Sequence, residues 1–257
     1  MNDNYREQML LSDDSYYADR YYMSNSALKL MRESPTKFHL WRKGLWSQPD
    51  TSAFSLGKAV HSMYLEGKDT AVLCDVRRDK RTQAYRDLLD ESYGMNLLSG
   101  SEYKDYEGMM AKLNSIEELK SLMSFDEPEF GTSELAGFKE VQGVNFKGKA
   151  DRVIKYNEDS RYIVDLKTTA KSLEEFRSSA KWLLYNQQAA LYSEIFDADF
   201  FVFLVIEKTY PYEVGVFECS QEFLDRGKQE LSKSIEMYKE LFINEEYNPY
   251  SPRTFVL

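Results

Sequence analysis

The sequence predicts an α/β protein in which a helical first half wraps an α/β core in the second half. Two observations carry this reading. Up to about residue 125 apolar residues recur at helical spacing, and past Asp126-Glu127-Pro128-Glu129 the period drops from about 3.6 to about 2, the spacing of strands. A chain of 257 residues with 42% hydrophobic content is also long and apolar enough for a sizeable core. With no internal repeat and no low-complexity linker, 1–257 reads as a single domain. Its parts are a mainly helical segment over 1–125, an α/β core over 132–219, and a closing helix and tail over 220–257.

Each element has its own signal. Residues 22–44 read as helix: Ser24 or Ser26 can cap it, Ala27, Leu28, Leu30 and Met31 supply an apolar face, and Pro35 interrupts it. A second helix fits 55–66, where Gly57 and Ala59 are small enough for close packing. Residues 75–123 read as helical and strongly charged. Three strands follow at 133–138, 144–154 and 161–167, joined by turns at Gln142-Gly143 and at Asn157-Glu158-Asp159-Ser160. Ser172 with Glu175 three residues on is a capping-box pattern, and the helix it opens runs, with room for a break, to about residue 195. Residues 200–207 read as a buried strand, and 213–219 alternate and pair with it across Tyr210-Pro211-Tyr212. An amphipathic helix over 221–242 closes the fold, and the aromatic-rich tail from Tyr247 to Phe255 carries no assigned role.

Composition narrows the function classes. The longest apolar run, 200–206, is far short of the roughly 20 residues a spanning helix needs, so no membrane partner is expected. The polar N-terminus has no apolar stretch behind it, which argues against a secretory leader and for a cytoplasmic protein. Cys74 and Cys219, the two cysteines, can build neither a disulfide framework nor a Cys₄ zinc or iron–sulfur site. A net charge of −10 argues against coating DNA by bulk attraction, yet leaves room for a local basic surface on phosphate. Arg77, Arg78, Lys80, Arg81 and Arg86 form the densest basic group, either a solvated helix face or a phosphate contact.

The sharpest pattern is Gly148-Lys149-Ala150-Asp151 followed by Ile163-Val164-Asp165-Leu166-Lys167. Residues two apart on a strand share a face, so Asp165 and Lys167 point one way while Val164 and Leu166 point into the opposite packed face. A hairpin would bring Asp151 beside Asp165. Carboxylates hold Mg²⁺ through hard oxygen ligands, and a lysine beside them can orient water and neutralise charge on a reacting phosphodiester. The same spacing also describes a solvated ion pair worth under about 1 kcal/mol.

The ordered set of motifs resembles the RecB-like branch of the PD-(D/E)xK nucleases, nearest to the RecE-type exodeoxyribonuclease VIII domain of phages and prophages. The likeness rests on Ser24-Asn25-Ser26-Ala27-Leu28 with Ser34-Pro35, on Gly57-Lys58-Ala59-Val60-His61 with Leu65-Glu66, and on Lys80-Arg81-Thr82. It continues through Glu134, then Asp151, Asp165 and Lys167, and ends on Gln188-Ala189-Ala190-Leu191-Tyr192. One departure is Asp165, where a Glu is common. Relatives with an iron–sulfur cluster need more cysteines than this chain has.

That resemblance implies a restriction-endonuclease-like core, a central mixed sheet flanked by helices, and an enzyme that hydrolyses phosphodiesters of DNA. Asp151, Asp165 and Lys167 would be catalytic. Mg²⁺, with Mn²⁺ as a substitute, would be held by His61, Asp151, Asp165 and the Leu166 backbone carbonyl, with Glu134 as a further acid and Glu140 as its competitor. Without the resemblance His61, one of two histidines with His39, would read as a satisfied core residue. Arg78, Arg81, Thr82, Gln188 and Tyr192 would meet DNA; Gln188 and Tyr192, one helical turn apart, would either bind the strand or brace the catalytic strand. The resemblance further implies 5′→3′ digestion of linear duplex from a 5′-phosphate end in phage-type recombination, a homo-oligomeric ring, and a single-strand annealing partner in a bacterial host. Alternatives on the same fold are an endonuclease, a single-strand nuclease or a non-catalytic DNA-binding module.

Overall fold

The computed structural model describes residues 13–47, 52–79, 81–119, 131–155, 160–244 and 247–249. Lys80, the Asp126-Glu127-Pro128-Glu129 break, Asn157-Glu158-Asp159 and the end of the aromatic tail lie outside the described residues.

The described residues open with α1 (Asp13–Ala18), α2 (Asn25–Glu33) and α3 (Pro35–Arg42). Ser24 caps α2 by accepting from the Ala27 N–H, as the sequence indicated. Ser34 caps α3, and Pro35 opens it at a position whose N–H would have no partner in any case. Pro35 therefore divides the 22–44 segment into two helices. Next comes α4 (Ser52–Glu66), which carries Gly57 and His61.

The described residues between 75 and 119 depart from the helical expectation. A two-stranded parallel sheet is built from β1 (Ala71–Leu73) and β2 (Asn96–Leu98), with α5 (Gln83–Glu91) between them and α6 (Gly100–Asn114) after. Three residues of β2 are too few to display a period of two between charged helices.

The main sheet follows: β3 (Gly131–Val141), β4 (Val144–Lys155), β5 (Arg161–Thr169), β6 (Phe200–Glu207) and β7 (Val214–Glu218), in that spatial order. All neighbours are antiparallel except β5 and β6, so the sheet is mixed. A parallel pair needs a long crossover, here α7 (Leu173–Ser179) and α8 (Tyr185–Phe196). The Ser172–Glu175 capping box is present at the start of α7. The break before α8 falls at 180–184, where Leu184 has a left-handed φ of 54°. Finally α9 (Gln221–Lys239) runs on into a π-helical turn, Glu240–Asn244.

Alternation along β5 and β6 separates two cores. Ile163, Phe201, Phe203 and Val205 pack with Leu28 and Met31 of α2, Phe38 of α3, Leu191 of α8 and Leu231 of α9. Val164, Leu166, Leu204 and Ile206 pack on the other face with Val60 and Leu65 of α4 and Met109 and Leu113 of α6. The approach to α2 is pinned to β4: the Met23 N–H donates to Asn145 O at 2.9 Å, and the Lys147 N–H donates to Met23 O at 2.8 Å. Below that bridge the buried Lys147 ammonium meets Asp19 Oδ2 at 3.4 Å and donates to the Tyr16 and Asp19 carbonyls.

Candidate active site

β4 and β5 pair regularly from Lys155–Arg161 to Arg152–Val164, and there the ladder stops. One more step would set Asp151 opposite Asp165. Instead the Leu166 N–H donates to Asp151 Oδ2 at 2.7 Å, so a carboxylate takes a hydrogen bond that the strand would otherwise accept. On the other side of β4, Glu134 lies between the Ser133–Arg152 and Leu135–Ala150 pairs, level with Asp151. Its φ of 52° is left-handed, a conformation that costs a side-chain-bearing residue roughly 1–3 kcal/mol. A Lys149–Glu134 ion pair at 2.7 Å holds it there. Glu140 sits near the far end of β3, opposite Asn145, so geometry favours Glu134 of the two acids.

Gly57 explains how His61 arrives. A Cβ on Gly57 would lie 3.1 Å from Thr168 Oγ1, so α4 can approach β5 this closely with glycine at that position. Residue 61 is one turn further on the same helix face. His61 Nε2 lies 2.7 Å from the Leu166 carbonyl. A carbonyl can only accept, so Nε2 carries the proton. Burial and then the nearby Lys167 charge lower the His61 pKa, which keeps the ring neutral and leaves Nδ1 with a lone pair. That nitrogen is 3.6 Å from Asp151 Oδ2.

His61, Glu134 and Asp151 each offer a ligand atom, and these atoms lie within 4.8 Å of one another. Burial first, then the Asp165 charge, raise the Asp151 pKa well above the carboxylate range. Asp165, expected as a ligand, lies outside that 4.8 Å group but close enough for its charge to act on Asp151 and His61. Gln188 Nε2 donates to Asp165 Oδ1 at 2.6 Å, and Lys167 forms an ion pair with Asp165 Oδ2. That Oδ2 is sealed from solvent, and the Lys167 ammonium is its partner. Burial alone would lower the Lys167 pKa, but Asp165 and Asp151 outweigh it and the net shift is upward. Lys167 is thus held as an ammonium.

The donor set fits a hard divalent cation: two carboxylates and a neutral imidazole nitrogen, with the Asp165 carboxylate nearby on Lys167 and Gln188. The Leu166 carbonyl, expected as a ligand, is engaged with His61 Nε2. In that position it orients the ring so that Nδ1 faces the acids.

Other expected residues divide. Gln188 braces Asp165 directly. Tyr192, one turn on, packs on β4: a Cβ at Gly148 would lie 3.3 Å from its Cε1, and the Lys149 backbone hydrogen-bonds its phenol. Arg78, Arg81 and Thr82 do not bond to this cluster. Arg78 donates to Leu97 O at 2.8 Å and to Glu102 at 2.6 Å, and Arg81 Nε donates to Asp79 Oδ1 at 2.9 Å. The Thr82 hydroxyl donates to Asp79 O at 2.8 Å, and Arg86 bonds to Gln83. Arg78, Arg81 and Arg86 of the densest basic stretch therefore carry local partners: Glu102, Asp79 and Gln83.

Two residues absent from the sequence-based list enter the site. Tyr185, one turn before Gln188 on α8, lays its ring 5.5 Å from Lys167 Nζ. Lys29 of α2 lies 4.9 Å from the same ring centroid. Burial, then repulsion from Lys167, bring the Lys29 pKa down to about 8. The i, i+3 spacing from Gln188 was a usable signal for Tyr185. For Lys29, beside Leu28 on a helix whose apolar face was known, the sequence held none.

Comparison with known proteins agrees with this architecture. A candidate exonuclease from Eubacterium rectale superposes with a TM-score of 0.65 at 18% identity, covering 89% of this chain and 85% of that one, a likeness of fold. A phage-related exonuclease from Haemophilus somnus 129PT matches with a TM-score of 0.31 and 16% identity over 77% of this chain and 96% of that one. An alkaline exonuclease from Laribacter hongkongensis matches with a TM-score of 0.30 and 11% identity over 71% and 93%. At those scores the last two carry no argument. No curated protein matches the sequence. The model of the PDDEXK-like domain of unknown function DUF3799 matches residues 24–252, nearly the whole chain, and the chain belongs to that family, within the PD-(D/E)xK nuclease superfamily.

Proposed function

We propose that the protein is a metal-dependent deoxyribonuclease that hydrolyses phosphodiester bonds of linear double-stranded DNA. The observation that carries this reading is the convergence of His61, Glu134 and Asp151, with the Asp165–Lys167 pair beside them, where β4 and β5 part. His61, Glu134, Asp151 and Asp165 would hold Mg²⁺ or Mn²⁺. The cation, when bound, polarises the phosphodiester and makes water more acidic at neutral pH.

The chain's own groups supply the rest. Lys167, kept as an ammonium by Asp165, stabilises negative charge that grows on the phosphate oxygens. Gln188 keeps Asp165 from rotating away. The Leu166 carbonyl fixes the His61 tautomer. Val164 and Leu166, packed on the opposite face, hold the strand that carries both reacting side chains. The resemblance to exodeoxyribonuclease VIII extends the reading to 5′→3′ digestion from a 5′-phosphate end, in a ring of subunits that works with an annealing protein in recombination. Arg78 and Arg81 would reach the duplex backbone by exchanging their present carboxylate partners for phosphate.

The test is nucleotide release from 5′-phosphorylated linear duplex with Mg²⁺, with EDTA, and with Asp165→Ala and Lys167→Ala. Each variant is expected to lose at least about 100-fold, the scale seen when a charge-stabilising group is removed. Wild-type activity in both variants would reject the assigned site. Covalently closed circular DNA should remain intact; its cleavage would replace the exonuclease with an endonuclease.

A further inference from the structure

Lys29 and Lys167 bring two ammonium groups to one aromatic ring, at 4.9 and 5.5 Å from the Tyr185 centroid. Their situations differ. Lys167 is paired with Asp165. Lys29, among the described residues, makes neither an ion pair nor a hydrogen bond; its cation meets the ring, and Asp165, already paired with Lys167, attracts it without bonding to it. A half-buried ammonium beside a like charge, with no acid bonded to it and a net downward shift despite Asp165, is an unfavourable arrangement unless something anionic completes it.

The scaffold does not allow α2 to swing away and relieve this. Leu28 and Met31 are buried in the main core. Asn25 Oδ1 accepts from Gln187 Nε2 at 2.9 Å, and Gln187 Oε1 in turn accepts from Ser234 Oγ at 2.6 Å, a buried chain linking α2, α8 and α9. Arg32 bonds to Glu230 at 2.8 Å. Fixed at both ends, α2 aims Lys29 at the side of the site occupied by Lys167 and Tyr185.

We propose that Lys29 is a substrate-binding residue whose ammonium donates to a non-bridging oxygen of a backbone phosphate in the DNA strand being cut. This rests on the nuclease reading above and adds a contact to it. The contact is made before reaction as well as during it, because Lys29 feels the Asp165 charge but bonds to none of the carboxylates that would hold the cation. It therefore acts on binding more than on the chemical step. Tyr185 serves as the platform that sets the height of both lysines.

The experiment compares wild type with Lys29→Met, Lys29→Gln and Lys29→Arg. Binding of a 5′-phosphorylated linear duplex is measured by fluorescence anisotropy with Ca²⁺ in place of Mg²⁺, over a salt series. Steady-state cleavage is measured with Mg²⁺. Lys29→Met is expected to raise Kd and KM about 10-fold with kcat changed less than about 3-fold, and to reduce the salt slope by about one. Lys29→Gln should behave as Lys29→Met, which keeps the test standing if one of them fails to fold by circular dichroism. Lys29→Arg should restore the salt slope. If wild type cleaves DNA and the neutral variants keep its KM, Kd and salt slope, the Lys29 contact is wrong and the nuclease reading survives. If wild type does not cleave but the neutral variants still bind duplex more weakly, the nuclease reading falls and the contact stands. A fall in kcat with unchanged KM and salt slope would also overturn the proposal, since it would mark a role in the chemistry or the fold instead.

Discussion

Lys167 and Lys29 carry the same charge to the same Tyr185 ring, and their surroundings treat them in opposite ways. Two acids raise the pKa of the first, while burial and the first lysine lower that of the second to about 8. The second shift has a measurable sign. The Lys29 folded pKa lies below its ordinary value of 10.5, so between about pH 8 and 10.5 the unfolded chain binds the extra proton. Stability contributed by this residue therefore rises with pH across that window, and below about pH 8 the full penalty is present. At roughly 1.4 kcal/mol per pKa unit, Lys29→Met is expected to be more stable than wild type at pH 7 by up to ~3 kcal/mol, with the gap narrowing towards pH 10. Urea unfolding at pH 7 and 9.5 reads this directly, and a less stable variant at pH 7 would contradict it. Asp151→Asn is the complementary case. Its side-chain oxygen can still accept from the Leu166 N–H, so the fold should persist while the cation site loses a carboxylate. Mn²⁺ at about 100 times its Kd should stabilise wild type by roughly 2.7 kcal/mol, seen as a rise in Tm, and should leave Asp151→Asn unmoved. Asp151, Asp165 and Lys167 were legible because a period of two and a hairpin bring them together from sequence alone. Glu134 was legible only as an acid upstream: a left-handed glutamate inside a strand follows from its surroundings, not from its own preferences. Lys29 was illegible because its role depends on which way α2 is clamped.

Those clamps belong to the elements, and two of them can be broken singly. Gly57 sets the distance from α4 to β5. Gly57→Val would push Thr168 away, at about 1–3 kcal/mol for an overpacked contact, and would carry His61 off the Leu166 carbonyl. The expected result is a modestly lower Tm with a much larger loss of Mn²⁺ binding. Equal losses would mean that the glycine serves packing alone. Lys147 is the second clamp. It is buried with Asp19 under the segment that leads into α2. Lys147→Met would leave the Asp19 carboxylate buried without that ammonium, which costs about 3–5 kcal/mol when one partner of such a pair is removed. Urea unfolding should show a loss of that order, and a loss under about 1 kcal/mol would mean that water reaches Asp19. The helix caps at Ser24 and Ser172, the break at Pro35 and every main-sheet strand could be read from local chemistry. β1 and β2 could not. Each has three residues, and their pairing is decided by α4 and α6 packing around them, which no local window contains.

At the scale of the whole molecule, the net charge of −10 and the site's need for a polyanion are reconciled by position. Surface carboxylates occupy Arg78 and Arg81, while Lys29 and Lys167 are held inside the fold where solvent screening is weak. That arrangement requires the two cores to behave as one body, and the sheet makes this a testable matter. β5 supplies Ile163 to one core and Val164 and Leu166 to the other; β6 supplies Phe201, Phe203 and Val205 to one, and Leu204 and Ile206 to the other. Stripping either layer of helices would expose one whole face of the central strands, so neither layer can melt while the other remains folded. Leu113→Ala in α6 and Leu231→Ala in α9 lie on opposite sides of that sheet. Each removes a buried leucine at about 2–5 kcal/mol. Both are expected to shift a single unfolding transition to lower denaturant, with tryptophan fluorescence and far-UV circular dichroism still coincident. If Leu113→Ala instead split the curve into two steps, the α4–α6 layer would be an independent unit. The position of His61 beside Asp151 would then rest on docking between two bodies, and no longer on a shared core.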